Sequence, residues 1–416
     1  MNKVTLTKIK VDNNKIIYCY QLEGKWKKYF NKNKDFEIEY SESINNVPSS
    51  ILTIPFVSLF LPISWIFDAT IEVETLDKNF YNSIRDIKNG YINMYSESNY
   101  EFKGDLIVKK IEENIYDFEN KAAFFSGGID ATSTCISHID EKPLLINLQK
   151  LPDNKDESKT LKKIEKSLEK LTKKLNLKLF TIETNFKSII RTRFLDFKIN
   201  RIFGVSYWYG FQHGLSIISH SAPLVYLKKI SSIYIASSNT PEDGKVKCAS
   251  DPTLDNCVKI AKANIVHDSF ELTRDQKIIN IAEYMKKNNL KLNLRVCLYE
   301  NKINNCCKCE KCYRTIAGIE VNGYDARNFG FDVNEQFYKK MEFDMINRID
   351  FSNTKKTWGR IKEKAILNKQ NIDNYKWIYD IDFNNDKKIV KKYIIHYINA
   401  IIKRIKKFIG VKNEKD

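Results

Sequence analysis

The sequence predicts an α/β protein: a parallel, doubly wound sheet with a metal-binding knuckle near its end, a β-rich segment before it and a basic helical segment after it. Three observations carry this. From about residue 104, short apolar runs alternate with amphipathic helical stretches. The one adjacent glycine pair sits where the first of those runs gives way to a helical pattern. Five of the nine cysteines fall between Cys297 and Cys312.

Residues 1–103 read as β-rich. Residues 4–9 alternate in polarity, 15–21 follow an Asn13-Asn14 turn, and 36–40 alternate again. Residues 69–73 are a further strand and 81–92 a helix. The apolar run 51–67 is 17 residues long and contains Pro55 and Pro62. A membrane span needs about 20 apolar residues, and two prolines argue against one continuous helix. The run therefore reads as a buried segment of a soluble domain. No catalytic constellation is visible in this region.

Residues 104–330 alternate strand and helix. Strands are expected at 122–125, 143–148, 179–182 and 233–236. Between the second and third, Leu161, Ile164, Leu168, Leu171 and Leu175 follow helical spacing. In such sheets ligands sit at the carboxyl ends of the strands. Residues 331–416 read as helical and polar, with no proline after Pro252. At 388–409, isoleucines and aromatics recur at helical spacing among lysines and Arg404. This is either a membrane-surface or partner helix, or a terminal helix docked on its own protein.

Composition narrows the classes. At 416 residues, two to three domains are expected, large enough for a core without disulfides. A hydrophobic content of 43% with 12% aromatics excludes a disordered chain. Fourteen glycines and eight prolines exclude collagen-like and low-complexity readings. The net charge of +17 suits a basic surface, or lysines spread over solvated faces. Lysine is scattered and arginine sparse, which argues against nucleic acid as a partner. With no apolar leader in residues 1–15, no transmembrane segment and no disulfide framework, the chain reads as cytoplasmic.

The glycine pair lies in AAFFSGGIDATST, residues 122–134. Glycines let a backbone turn tightly and approach a ligand closely. The loop amides then face outward at the positive end of a helix, which suits pyrophosphate. Ser126 and Thr132 add hydroxyls. Asp130 fits a phosphate cradle if it holds Mg²⁺ or orders the loop. Neither the Walker pattern nor G-x-G-x-x-G is present.

In CLYENKINNCCKCEKC, Cys297, Cys306, Cys309 and Cys312 are separated by eight, two and two residues. Two overlapping C-x-x-C steps converge thiolates from a tight turn, and Cys297 completes a tetrahedral structural zinc site. A redox pair and an iron–sulfur cluster are the alternatives. Cys307 is left over. Cys19, Cys135, Cys248 and Cys257 read as ordinary thiols.

The glycine loop resembles S-G-G-x-D-S, the signature of the PP-loop ATP pyrophosphatases (adenine nucleotide alpha hydrolase-like fold), with Ala131 in place of the usual serine. Together with the cysteine spacing, residues 104–325 resemble 7-cyano-7-deazaguanine (preQ0) synthase. That family converts 7-carboxy-7-deazaguanine to the nitrile with ATP and ammonia. Long divergent relatives occur in anti-phage defence clusters, where the same activation has been linked to attaching a deazaguanine to a protein. The resemblance implies catalytic roles for Asp130 and Ser126. It implies ATP binding by Ser126, Gly127, Gly128, Ile129, Asp130, Ala131, Thr132 and Leu148, with Mg²⁺ and Zn²⁺ as metals. The implied partners are a deazaguanine-type molecule, an acceptor protein from the same gene cluster and, as a homodimer, a second copy of the chain.

For the substrate, Asn239, Asp251 and Asp255 are candidates to bond a guanine-like edge, or else serve turns and caps. Tyr207, Trp208 and His213 offer stacking surfaces, or else core packing. Arg191 and Arg193 could clamp an anion or lie on a solvated face. His267-Asp268 is a base with its orienter, or Asp268 caps a helix at 272. The expected function is a carbon–nitrogen ligase that adenylates a carboxylate and passes it to ammonia or a protein amine. The rivals are a tRNA-modifying PP-loop enzyme and a non-catalytic nucleotide-binding scaffold.

Overall fold

The computed structural model describes residues 1–31, 34–299, 303–349, 354–368 and 373–383, together with Ile398 and Ile402. The chain divides into two compact units, Met1–Thr273 and Arg274–Asp416.

The first unit is built on one sheet. Its strands are β1 (Asn2–Asp12), β2 (Lys15–Glu23), β3 (Phe36–Tyr40), β4 (Ala69–Asp77), β5 (Asp105–Glu112), β6 (Asn120–Phe124), β7 (Leu144–Lys150), β8 (Leu179–Thr184), β9 (Ile230–Ala236), β10 (Lys259–Ile260) and β11 (Ala263–Asp268). They lie in the order β10-β11-β9-β6-β7-β8-β3-β2-β1-β4-β5. Six of the ten pairings are parallel and four antiparallel, so the sheet is mixed and mostly parallel. Asn13, at φ 50°, makes the β1–β2 turn, a left-handed conformation that asparagine tolerates.

The sheet does not stop at residue 103. β3 pairs antiparallel with β8, Ile38 opposite Thr184 and Tyr40 opposite Ile182. One hydrophobic core runs from Val4 to Ile265 and includes Phe36, Tyr40, Phe180 and Ile233. The expected β-rich domain and the α/β block are thus one body. The chain's division falls at residue 273, so the expected break at 330/331 lies inside the second unit.

The apolar run forms a helix, Ile54–Phe67, with Pro55 in its first turn and Pro62 inside it. The expectation that the prolines would interrupt it is corrected for Pro62. The ring costs only the bond to the Ser58 carbonyl, and residues 54 to 66 are buried all round, so packing outweighs that loss. The stretch Ser49–Phe67 passes a length-and-hydropathy test for a membrane span, yet lies almost wholly inside the protein. It is a core helix.

Three strands escaped the sequence pattern: β5, the two-residue β10, and β11. β5, at the sheet edge, has no buried residue and exposes Ile107 and Ile111 beside Lys109 and Lys110, and β11 carries Asn264 and His267 among its apolar residues.

Within the parallel block the chain lays down β6, β7 and β8 outward on one side. It then returns to place β9 against the other flank of β6, with β11 beyond. The carboxyl ends of β6 and β9 therefore form a topological switch point, where open α/β sheets bind ligands.

The second unit is helical, with Arg274–Lys287, Glu310–Val321, Glu335–Asn347 and Lys355–Leu367. Tyr313, Trp358 and Tyr375 are buried in it. Glu320 accepts hydrogen bonds from Tyr338 at 2.8 Å and Tyr375 at 2.5 Å. The expected helix at 388–409 lies outside the described residues, apart from Ile398 and Ile402.

Candidate functional site

β6 ends at Phe124 and the helix Ile129–Ser137 begins five residues later, so Phe125 to Gly128 make the turn. Phe125 is anchored on both sides. Its amide donates to Ile146 O at 2.8 Å, and its carbonyl accepts from Asn147 Nδ2 at 2.8 Å. The backbone then needs Gly127 at φ 76°, a left-handed conformation that a side chain would strain. Gly128 is the N-cap residue, with no side-chain cap bond at this helix start. Helix N-termini leave amides free of intrahelical partners and suit anions.

The hydroxyls divide. Ser126 is exposed, and its Oγ accepts weakly from the Gly128 amide at 3.4 Å. Thr132 is fully buried, and its Oγ1 has no hydrogen-bond partner. Asp130 sits in the first helical turn, where a carboxylate is favoured by the helix dipole. Ile129 and Ala131 are buried, and the Ala131 methyl occupies the place of the expected serine. Leu148 is half-buried near the carboxyl end of β7, opposite Ile182 of β8.

Across the switch point, the segment after β9 is fixed by Ser237, whose Oγ donates to Asn239 O at 2.7 Å. The Asn239 side chain hydrogen-bonds the Tyr209 hydroxyl, which also contacts Cys248. Cys248 Sγ lies 3.9 Å from His213 Nδ1. The structure therefore gathers Asn239 and His213 around Tyr209 and Cys248. Burial first, then Lys187 and His267, pull the His213 pKa down to about 4, so the ring is neutral at physiological pH. Trp208 stands 5.0 Å from His213, with the Lys187 ammonium 4.3 Å from its ring centre. Tyr207 is core.

Trp208 to Gln212 form a π-helical turn that the sequence pattern does not betray. Such turns are frequent at functional sites. Tyr209 and Cys248 were not singled out from sequence as ligand contacts. Only the turn and the loop's return bring them together.

The other candidates take structural roles, with Asp255 and His267 lying beside His213 and Cys248. Asp251 Oδ1 accepts from the Thr253 amide and hydroxyl at 2.9 and 2.6 Å, so the capping alternative is realised. Arg193 is exposed on the helix Thr192–Phe203. His267 pairs with Asp255, not with its neighbour. Nδ1 to Oδ2 is 2.8 Å, and Asp255 also accepts from Ser250 at 2.8 Å. Burial raises the Asp255 pKa, and His267 opposes that shift. Asp268 instead accepts from Thr134 at 2.7 Å and pairs with His138 at 2.9 Å. The following helix starts at Arg274, so Asp268 ends a strand and caps no helix at 272.

In the second unit, the sulfur atoms of Cys297, Cys306, Cys309 and Cys312 all lie within 4.8 Å of one another. Cys306 and Cys312 are 3.8 Å apart. Zinc–sulfur bonds of about 2.3 Å in a tetrahedron place sulfurs about 3.8 Å apart, so the donor set fits zinc. Amides of Tyr299 and Lys308 donate to Cys297 and Cys306 sulfurs, each at 3.4 Å. Cys309 caps the helix Glu310–Val321, and Cys312 lies in its first turn. The hydrogen bond between Cys309 and Cys312 pulls the Cys309 thiol down and pushes its partner Cys312 up, so one proton is shared by the pair. Cys307, at φ 48°, turns away toward Asn305 O. All nine cysteines are free thiols.

No family model, no curated protein and no solved structure matches this chain.

Proposed function

We propose that this protein is an ATP-dependent carbon–nitrogen ligase that adenylates a deazaguanine carboxylate such as 7-carboxy-7-deazaguanine. The reading is supported above all by one observation: a Gly-Gly turn, with Gly127 left-handed, opening a helix at the switch point of a parallel sheet. The substrate carboxylate oxygen attacks the α-phosphorus of ATP, the bond to the bridging oxygen of the β-phosphate breaks, and pyrophosphate leaves. An amine then attacks the acyl carbon, AMP departs, and the amine proton passes to solvent.

In this reading the loop amides of residues 127 to 129 carry the phosphate charge, and the Thr132 hydroxyl gains a partner there. Asp130 would hold Mg²⁺, which supplies charge neutralisation at the phosphates. Asn239, His213 and Tyr209 line the heterocycle side, where a neutral imidazole can accept or donate without carrying charge. The zinc knuckle is structural, since four thiolates leave no open position. Acceptance of the acyl group by ammonia or by a protein amine fits the same first step.

The test is incubation with ATP, Mg²⁺ and 7-carboxy-7-deazaguanine, with products resolved by chromatography. AMP and pyrophosphate are expected, with turnover lost in Gly127→Val and Asp130→Ala. ADP and phosphate, or full turnover in both variants, would overturn the proposal. Turnover only after an acceptor protein is added would assign the amine to that protein.

A further inference from the structure

The helix Thr192–Phe203 follows β8 and buries Leu195, Ile199 and Phe203. Its outer face carries Arg193, Phe194, Phe197, Lys198 and Arg201, neighbours at helical spacing. Phe194 and Phe197 are 50% and 79% exposed. Beside this face lies the turn Lys25–Tyr29, which adds Lys27 and Lys28. The two segments are joined directly. The Arg191 amide donates to Tyr29 O at 2.7 Å, and Arg191 Nη1 donates to Lys28 O at 3.2 Å. The Tyr29 and Phe194 rings are 5.5 Å apart, and the Arg191 guanidinium lies 5.3 Å from the Phe194 ring centre.

Six cations thus lie on this face or beside it: Lys27, Lys28, Arg191, Arg193, Lys198, whose ammonium stands 4.3 Å from the Phe67 ring centre, and Arg201. Among the described residues, none of the six lies in an ion pair, whereas some lysines elsewhere are paired, as in Lys121–Glu141 and Lys150–Asp153. Asp196, the acid of this helix, is engaged by the Tyr207 amide at 2.6 Å. Lys198 feels burial and the charge of Lys28, both of which lower its pKa.

We infer that this face binds a single-stranded nucleic acid, with the cations on phosphates and Phe194 and Phe197 stacking on bases. Three considerations favour this occupant. Six cations against one acid that is already engaged call for a strongly negative partner, and nucleic-acid interfaces are strongly positive on the protein side. Two partly exposed rings offer too little apolar area to hold a membrane without further anchors. Rings three residues apart on a helix face stand about 5–6 Å apart at their Cβ atoms, a spacing that serves successive unstacked bases. The face also lies at the carboxyl edge of β8, on the same edge as the glycine turn after β6. Arg191 follows β8, two strand spacings from β6, and Lys27 and Lys28 follow β2, four spacings from it, about 10 and 19 Å. A bound strand can therefore reach the switch point.

The test uses the full chain and a fluorescein-labelled single-stranded RNA 12-mer of mixed sequence, with binding read by anisotropy across a salt series. The expected plot of log K against log salt has a slope of about −4, from six phosphate contacts at about 0.7 each. Arg193→Glu/Arg201→Glu is expected to weaken binding and reduce the slope by about 1.4. Phe194→Ala/Phe197→Ala is expected to weaken binding at least about fivefold per ring with the slope unchanged. Lys163→Glu/Lys166→Glu, on the helix Lys155–Lys174, removes the same charge from a solvated face and should change little. Unaltered melting temperatures show that the exposed substitutions leave the fold intact.

Equal weakening by the Lys163/Lys166 variant, an unaffected phenylalanine variant or no binding would each overturn the inference. So would tight binding to phosphatidylserine vesicles, or to an acidic peptide, that the phenylalanine variant abolishes while RNA binding is absent. None of these outcomes depends on adenylation, so the two proposals fail separately.

Discussion

At the scale of single residues, the informative groups are those whose environment contradicts their chemistry. The Thr132 hydroxyl is buried with no partner, which costs on the order of 1–3 kcal/mol. If it awaits a phosphate oxygen, Thr132→Val should raise the melting temperature while raising the half-saturating ATP concentration several-fold. A calorimetric scan beside an ATP titration checks both halves, and a lowered melting temperature would show that the hydroxyl is already satisfied. His220 is the second case. Burial pulls its pKa down to about 4 from 6.5, and the ring stays neutral between the Ser216 carbonyl and the Thr184 hydroxyl. Between pH 6.5 and about 4 the unfolded chain therefore binds more protons than the folded one. Stability is unaffected above pH 6.5 and falls as pH drops through this window, by up to about 1.4 kcal/mol per pH unit. His213 adds to the same slope with the same sign. Denaturant unfolding at pH 7.5, 6 and 5 should show this decline, and His220→Gln should flatten it.

At the scale of elements, the cysteine knuckle and the glycine turn use the same device, a helix N-terminus, for different purposes. In the knuckle, Cys309 and Cys312 sit at the start of a helix, and loop amides reach two of the other sulfurs. Both effects stabilise thiolates and so favour a metal. The purified protein should carry one zinc per chain by elemental analysis. Cys309→Ser should lose the metal and melt well below wild type, while Cys307→Ser should keep both. An iron–sulfur absorption band or a metal-free, fully stable protein would contradict this. Both elements were legible in sequence because each is local. A cysteine ladder and a Gly-Gly turn after an apolar run need only a few residues to declare themselves. The π-helical turn at Trp208–Gln212 was not legible, because its register comes from packing rather than from a residue signature.

At the scale of the whole molecule, the sheet joins what composition suggested were separate parts. Phe36, Ile38 and Tyr40 of β3 are buried against the parallel block. At about 1.5–3 kcal/mol each, these three side chains contribute roughly 5–9 kcal/mol, comparable with a typical domain stability of about 5–15 kcal/mol. Removing residues 1–103 is therefore expected to yield an insoluble or unfolded central block, read by solubility and far-ultraviolet dichroism. A soluble, cooperatively melting fragment 104–416 would show that the two parts are independent.

The sequence alone determined the local chemistry. Strand β6, its glycine turn, the helix that follows and the four converging cysteines are each set by contiguous residues and by short-range sterics. Tertiary structure decided everything that depends on non-local pairing. It placed β9 beside β6 and so made the switch point, paired His267 with Asp255 rather than Asp268, and drew Tyr209 and Cys248 to His213. It also brought Lys27 and Lys28 beside Arg191, Arg193, Lys198 and Arg201, more than 160 residues away in sequence for the nearest bonded pair. Charge that looks scattered along a chain becomes a patch only when strands pair across the sheet, because electrostatic proximity is set by folded distance and not by sequence separation.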